Sequence, residues 1–211
     1  MIKKIFELIK VYRFSLLIIL VYEFLYMFRG YKGNILAIRN NKFRTDNIPC
    51  PYFFLEIISN FLKKKNIKSL IDLGCGSGRV LYFFNQKHNI KLFGIEYYQE
   101  SYKLCNNMFS SNNNIKIINN DFLKVSISQL VADCYFLNDP LKNFNSFKFI
   151  IEKILKINKK KKIYIILVNI NDKKKFLFKQ FRCVKKIVYE SKIRKAGLYI
   201  YTNKIIKNEK N

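Results

Sequence analysis

The chain of 211 residues has no tryptophan, one histidine, three prolines and seven glycines. Because Pro and Gly are scarce and half of the residues are hydrophobic, the composition excludes a disordered or low-complexity protein. The length fits one domain that can bury a full core. The single histidine, His88, follows a helical pattern in a polar stretch, which predicts a surface residue rather than a catalytic group.

Cysteine is also limited, with five residues and no C-x-x-C pair. The odd number and the wide spacing exclude a disulfide framework and a zinc site, and they indicate a reducing compartment. The sequence shows no metal-ligand cluster and no Ser/His/Asp arrangement, so it predicts no metal. The cysteines are Cys50, Cys75, Cys105, Cys134 and Cys183.

Acidic residues are few: 14 Asp and Glu face 40 Lys and Arg, which gives a net charge of +26. A field of this size attracts anions such as nucleic acid and acidic lipid headgroups. The alternative is that a lysine-rich composition simply solvates the surface, and the position of the lysine runs at element ends favours this interpretation. The runs are Lys63–Lys65, Lys159–Lys162 and Lys173–Lys175.

The longest apolar segment, residues 14–28, has 15 residues and contains Glu23. A membrane-spanning helix needs about 20 apolar residues, and no small-residue cleavage site of a signal peptide follows. Basic residues flank both sides, so the charge pattern defines no orientation. Three arrangements remain open: a membrane anchor, an amphipathic helix on a membrane surface, or a helix packed on the domain.

Strands and helices alternate along the rest of the chain. Pro51 stands where a helix would begin, and the pattern beyond it predicts an α/β fold with a doubly wound, mainly parallel sheet of seven strands. The last two strands, separated by Gly197, have no helix between them, which predicts an antiparallel edge. The predicted strands are 68–73, 91–95, 115–118, 132–137, 162–169, 183–190 and 198–205.

The first of these strands leads into the most informative stretch, SLIDLGCGSGR at residues 69–79. Glycine stands at every second position of the loop, which allows close approach of the backbone to a ligand near a helix N-terminus. Polar side chains also follow the next three strands, where open α/β sheets bind ligands. The residues at the strand ends are Asp72, Glu96, Asp121, Asn138 and Asp139.

This pattern resembles the class I S-adenosylmethionine (SAM)-dependent methyltransferases, which have a Rossmann-like fold. The resemblance covers about residues 67–205 and implies SAM as the cofactor. It implies that the loop holds the methionine carboxylate, Asp72 the amino group, Glu96 the ribose and Asp121 with Phe122 the adenine. A dinucleotide-binding G-x-G-x-x-G motif is disfavoured because position 79 is Arg. The implied cofactor-binding set is Asp72, Gly74, Cys75, Gly76, Gly78, Glu96, Tyr97, Asp121, Phe122 and Asn138.

The tetrapeptide Asn138-Asp139-Pro140-Leu141 lies where the transferable methyl group is expected. It partly resembles the Asp/Asn-Pro-Pro-aromatic motif of amine-methylating families, although the second proline and the aromatic residue are missing. Asn138 and Asp139 are therefore the catalytic candidates, as acceptors of hydrogen bonds from an amine or, for Asp139, as a base. A plain turn after the strand is the alternative.

The hydrophobic leader, the P-x-P helix and the glycine loop together resemble small membrane-anchored protein-lysine methyltransferases. A small molecule or lipid, a nucleic acid, or a degenerate SAM-fold binding module remain as alternatives. The predicted organisation is a hydrophobic helix at 1–30, a lid and lead-in helix at 31–66, and a SAM-binding domain at 67–211. Residues Tyr31, Arg44, Thr45 and Asp46 are the candidate lid. The expected location is cytoplasmic, or at a membrane through residues 1–30.

Overall fold

The computed structural model describes residues 18–33, 48–190 and 195–205. Helix α1 covers residues 18–28, and two 3₁₀ turns cover Ile127–Leu130 and Phe176–Phe178. The other helices are α2 (Tyr52–Lys64), α3 (Arg79–Lys87), α4 (Gln99–Met108), α5 (Phe144–Ile157) and α6 (Asp172–Lys175). The strands are β1 (Ser69–Leu73), β2 (Lys91–Glu96), β3 (Ile115–Asn119), β4 (Cys134–Asn138), β5 (Tyr164–Val168), β6 (Phe181–Glu190) and β7 (Lys195–Ile205).

The seven strands form one sheet in the order β3-β2-β1-β4-β5-β7-β6. Strands β1 to β5 are parallel, and β7 runs antiparallel to both β5 and β6. The predicted seven-stranded, mainly parallel sheet with an antiparallel edge is therefore confirmed. The chain order reverses between β1 and β4, and ligands of open α/β sheets bind at such a switch point.

The strand register aligns the ends of these strands at one edge of the sheet. Asp72 pairs with Gly94 on one side and with Phe136 on the other. Glu96 pairs with Asn119, and Asn138 pairs with Val168. Because the pairing is parallel, the carboxyl ends of β1, β2, β3 and β4 meet at the same edge.

The core lies on both faces of the sheet. Every residue of β5 is buried, as the continuous apolar run predicted. Tyr164, Ile166 and Val168 belong to the cluster packed with α2 and α3, whereas Ile165 and Leu167 belong to the cluster packed with α5. The alternation follows from the two-residue period of a strand and produces the doubly wound layers.

Two elements of the carboxyl-terminal part differ from the sequence prediction. Gly197 was expected to separate the last two strands, but it lies inside β7 and pairs with Val188. A Cβ at this position would lie 3.0 Å from the carbonyl oxygen of Ile187, so glycine allows a close approach of β6. The alternation of strands and helices predicts a helix after β5, and this helix is short, with the four residues of α6 followed by the second 3₁₀ turn.

Helix α1 is docked on the domain through one side. The ring of Tyr26 is 2% exposed and stacks on the ring of Tyr52, with 4.6 Å between the centroids. Tyr22 contacts the ring of Phe53 edge-on. Among the described residues no helix has the length and hydropathy needed to cross a membrane. Residues 1–17 of the predicted hydrophobic helix and the lid residues Arg44, Thr45 and Asp46 lie outside the described residues.

Candidate active site

The glycine loop joins β1 to α3 at the switch point. Gly74, Gly76 and Gly78 have φ angles of 89°, 55° and 92°, a left-handed conformation that side chains disfavour. The Gly78 site is also crowded, because a Cβ there would lie 2.8 Å from Cys105 Sγ. The alternation of glycines therefore has two causes, the tight turn and the packing of α4 against the loop.

Asp72 lies at the floor of the crevice beside this loop. Its side chain is 2% exposed, and Oδ2 has no hydrogen-bond partner among the described residues. Burial, together with the negative charge of Glu96, raises the pKa of the Asp72 carboxyl well above its usual range. A buried carboxylate without a partner is costly, so this oxygen fits a ligand with a positively charged donor such as an ammonium group.

Glu96 is fixed against the same loop. Its Oε2 accepts a hydrogen bond from the Gly76 backbone N–H at 2.9 Å, and its Oε1 accepts one from the Tyr98 N–H at 2.8 Å. Each carboxylate oxygen can accept more than one hydrogen bond. The side chain is thus held in one orientation and retains lone pairs for two hydroxyl donors, such as those of a ribose.

Three further residues of the predicted cofactor-binding set, Tyr97 and the two assigned to the adenine, Asp121 and Phe122, are arranged differently from one another. Tyr97 is 49% exposed, and its ring meets that of Tyr98 edge-on. Asp121 is partly exposed after β3, where its Oδ1 accepts a hydrogen bond from the Leu123 N–H. Phe122, by contrast, is 1% exposed and lies in the core with α5. Its ring offers no free face to an adenine, because the turn after β3 directs it inward.

The catalytic candidates lie at the end of β4. Asn138 Nδ2 donates to the Ile48 carbonyl at 2.7 Å, and Asn138 Oδ1 accepts from Asn169 Nδ2 at 3.0 Å. Asp139 has a φ of 41° and forms an ion pair with Lys174. The left-handed backbone at Asp139 ends the extended conformation of β4. The side chain of Asp139 therefore does not continue the alternation of the strand.

Lys174 is a residue that the sequence interpretation missed. The run Lys173–Lys175 was expected to be solvated, yet the Lys174 side chain is 2% exposed. Its Nζ donates to Asp139 and to the Leu141 carbonyl, and it lies 5.3 Å from the centroid of the Phe147 ring. The lysine run itself does not predict that Lys174 is buried. Its burial depends on the fold, which brings α6 next to the end of β4.

The amino-terminal segment covers part of the crevice. Ser77 Oγ donates to the Gly33 carbonyl at 3.0 Å, and a Cβ on Gly33 would lie 2.3 Å from the backbone nitrogen of Arg79. The void that remains beside Asp72 under this segment is about 30 Å³, roughly one water molecule. The methionine end of a cofactor therefore needs this segment to shift before it can reach Asp72.

Arg79 links this cover to the domain. Its guanidinium donates to Glu23 Oε2 at 2.8 Å and to the Cys50 carbonyl at 3.1 Å, and it lies 4.4 Å from the centroid of the Tyr52 ring. Glu23 Oε1 also accepts from the Tyr52 N–H at the start of α2. In the sequence, the contact between Glu23 and Arg79 is indicated by the position of Glu23, an acidic residue inside an apolar segment.

The described residues provide groups that match parts of the SAM molecule. An unpartnered buried carboxylate oxygen at Asp72 suits the amino group, and the orientation of Glu96 suits the ribose. Asp72 and Gly74 line the void at the switch point, and Glu96 is hydrogen-bonded to the same loop. The observation does not depend on any similarity to another protein.

Comparison with known proteins agrees with this geometry. A family model described as "Methyltransferase domain" matches residues 63–203. No curated protein matches the chain by sequence. Solved structures share the fold at low identity, and all three named here are methyltransferases or described as putative ones.

The first is the N-methyltransferase NodS from Bradyrhizobium japonicum WM9, 13% identical, with a TM-score of 0.55 over 72% of this chain and 93% of that one. The second is a putative caffeoyl-CoA O-methyltransferase from Staphylococcus aureus, 14% identical, with a TM-score of 0.57 over 87% and 91%. The third is the magnesium protoporphyrin IX methyltransferase from Synechocystis PCC 6803 with bound SAM, 8% identical, with a TM-score of 0.54 over 71% and 78%.

These identities establish the fold alone, whereas the family model covers more than half of the chain. The family implies SAM as the cofactor. The switch-point crevice, its acidic strand ends and the family match together show that the chain belongs to the methyltransferase-domain family and is a class I SAM-dependent methyltransferase.

Proposed function

We propose that this methyltransferase transfers the methyl group of SAM to an amine nitrogen, with the side chain of a protein lysine as the acceptor. SAM supplies a methyl group that its sulfonium already activates. The task of the chain is therefore to position the acceptor nitrogen in line with that carbon and to exclude water.

The cofactor is held by the residues around the switch point. Asp72 accepts hydrogen bonds from the amino group, and the backbone of the Gly74–Gly78 loop allows the carboxylate to approach closely. Glu96, fixed by two backbone donors, accepts from the ribose hydroxyls. Tyr97 presents an exposed ring beside the adenine position and Asp121 an acceptor for its amino group.

The observation that carries the acceptor class is the set of oxygen acceptors at the end of β4. Among the described residues Asn138 Oδ1 accepts one hydrogen bond, from Asn169, and an amide oxygen has a second lone pair for an amine N–H. The ion pair with the buried Lys174 holds the neighbouring Asp139 carboxylate in one orientation. Oxygen acceptors of this kind orient an amine, and Asp139 accepts the proton that the amine releases.

The net charge of +26 favours one kind of protein surface as the location of the acceptor lysine. A strongly positive enzyme repels basic surfaces and attracts acidic ones, since long-range charge complementarity governs encounter. We therefore expect the modified lysine to lie on an acidic protein surface.

The test is transfer of labelled methyl groups from SAM to host lysate, which is then separated into protein, nucleic-acid, lipid and small-molecule fractions. Label in protein that is recovered as methyllysine after hydrolysis supports the proposal, and Asp139→Asn should reduce that label. Label in another fraction overturns the lysine acceptor. If the protein binds SAM but labels no fraction, the chain is a binding module and the proposed activity is wrong.

We also propose that the outward face of α1 lies on an anionic membrane surface. Seven apolar side chains of this helix are exposed while its opposite side is docked on the domain. An exposed apolar stripe on a strongly basic protein complements acidic headgroups over acyl chains. The side chains are those of Ile18, Leu20, Val21, Phe24, Leu25, Met27 and Phe28.

A further inference from the structure

A large cavity lies at the end of the sheet opposite the candidate active site. Its volume is about 610 Å³, which is in the range of small-molecule sites. It is bounded by the carboxyl-terminal half of α2, the first residue of β5, and the facing parts of β7 and β6. Because β5 separates this end from the carboxyl edge by about 16 Å, the cavity is distinct from the SAM crevice.

The rim of the cavity is strongly basic. Among the residues that the structure describes, five cationic side chains and no acidic side chain line it, so no ion pair within this described lining neutralises them. These side chains therefore converge on one concavity. The cations are Lys64, Lys65, Lys162, Arg182 and Lys185.

The convergence results from strand register. Tyr164 on β5 pairs with Thr202 on β7, and Thr202 pairs with Arg182 on β6, so the three side chains form a row on one face. The register of β6 then shifts between Cys183 and Lys185. Residues three apart in a regular strand lie on opposite faces. The bulge shifts this alternation, so Lys185 lies on the same face as Arg182.

The wall of the cavity contains an unsatisfied hydroxyl. Thr202 is 3% exposed, and its Oγ1 has no hydrogen-bond partner among the described residues. A buried hydroxyl without a partner costs free energy unless a ligand or water supplies one. Oγ1 is itself closed to solvent, so a ligand in the cavity reaches this hydroxyl only when the Thr202 side chain rotates towards it.

The floor of the cavity is apolar. The rings of Phe61 and Tyr164 meet edge-on at 5.0 Å, and the Lys162 ammonium lies 5.3 Å from the centroid of the Tyr164 ring. Ile57 completes this surface. A ligand that fills the cavity therefore needs an apolar or aromatic body as well as an anionic group.

We infer that this cavity binds an organic phosphate. The phosphate contacts the guanidinium of Arg182 and the surrounding ammonium groups and accepts the hydrogen bond of the Thr202 hydroxyl, while the aromatic body packs on Phe61 and Tyr164. Arginine and lysine are the usual partners of phosphate. The site is independent of the proposed amine acceptor, because it lies at the other end of the sheet.

The probe for this site is 1-naphthyl phosphate, titrated by calorimetry with the SAM crevice saturated by S-adenosylhomocysteine. We expect one site, and we expect 1-naphthol and inorganic phosphate each to bind at least about tenfold more weakly. Thr202→Val preserves the side-chain shape and should weaken binding about tenfold, the effect of losing a hydrogen bond to a charged group.

A pair of charge-matched variants separates a specific site from general attraction. Arg182→Gln with Lys185→Gln should weaken binding more than tenfold. Lys103→Gln with Lys116→Gln removes the same charge from exposed positions on α4 and β3 and should change it less than about twofold.

Three results would overturn the inference. The first is an equal loss in both double variants, and the second is undiminished binding by Thr202→Val with its thermal stability intact. The third is a single-stranded oligonucleotide that displaces naphthyl phosphate and binds more tightly, which would assign the cavity to nucleic acid. Methyl transfer need not occur for any of these measurements, so failure here is distinguishable from failure of the proposed activity.

Discussion

Replacement of Asp72 by Asn removes a negative charge from the floor of the SAM crevice and keeps the shape of the side chain. Without ligand, the wild-type carboxyl has a raised pKa because it is buried and faces Glu96. A group with a raised pKa in the folded state contributes stability below its unfolded pKa, and this contribution is lost as the pH rises through the folded value. We therefore expect ligand-free Asp72→Asn to gain stability relative to wild type as the pH rises from about 4 towards neutrality.

With ligand the order should reverse. A hydrogen bond to a charged group contributes about 1.5–3 kcal/mol, which corresponds to a loss of affinity of about 10- to 100-fold for S-adenosylhomocysteine. At a ligand concentration about 1,000 times the wild-type Kd, the ligand stabilises wild type by about 4 kcal/mol and a 100-fold weaker variant by about 1.4 kcal/mol. The difference corresponds to about 5–11 °C in Tm for a chain of this length.

The assay is thermal unfolding with and without S-adenosylhomocysteine between about pH 4 and pH 8, together with calorimetric Kd values. Asp133→Asn is the matched control on the same pair of strands. Asp133 Oδ2 accepts hydrogen bonds from the Lys68 and Ser69 N–H groups, and Lys161 pairs with its other oxygen. Burial raises the pKa of Asp133, but these hydrogen bonds outweigh that effect and lower it.

The control should behave in the opposite way. A lowered pKa gives stability that is present above the unfolded pKa and is lost as the pH falls through the folded value. Asp133→Asn should therefore be less stable than wild type at neutral pH, by about 1 kcal/mol, with unchanged ligand affinity. If Asp72→Asn bound S-adenosylhomocysteine as tightly as wild type, the role given to Asp72 would be refuted.

Two further predictions concern the amino-terminal segment. Gly33→Ala should destabilise the protein by about 1–3 kcal/mol in chemical denaturation, because its Cβ would meet the start of α3 at 2.3 Å. Gly30→Ala is its control: φ is also positive there but nothing lies within 4 Å of a Cβ, so an equal loss would contradict the packing argument. Phe24→Ser with Phe28→Ser should reduce flotation with anionic vesicles several-fold. The same change at the exposed Phe149 of α5 should leave flotation unaltered, and equal effects would argue against a membrane face on α1.

Much of the candidate site follows from local pattern. The apolar run reflects a buried strand, and the alternating glycines reflect a left-handed turn. The acid 22 residues after Gly74 reflects a side chain at a strand end. Parallel pairing then brings these ends together without further information. The sequence alone therefore predicts that Asp72, Gly76 and Glu96 lie close together.

Other features depend on contacts between distant segments. The turn after β3 directs Phe122 into the core, although it follows Asp121 directly. Lys174 is buried while Lys173 beside it is exposed, because α6 packs next to Asp139. The local sequence does not distinguish Lys174 from Lys173, since both are lysines of the same run.

The sequence by itself determined the alternation of strands and helices, the cofactor loop and the chemical class of the enzyme, because these depend on the spacing of a few residues along one stretch of chain. Tertiary structure alone decided that Glu23 reaches Arg79, that the Gly33 segment covers the crevice, and that five cations surround Thr202. Those arrangements join residues as many as 138 positions apart, from Lys64 to Thr202. Only the packing of the chain, with its register shifts and helix contacts, determines which of the many charged and apolar side chains become neighbours.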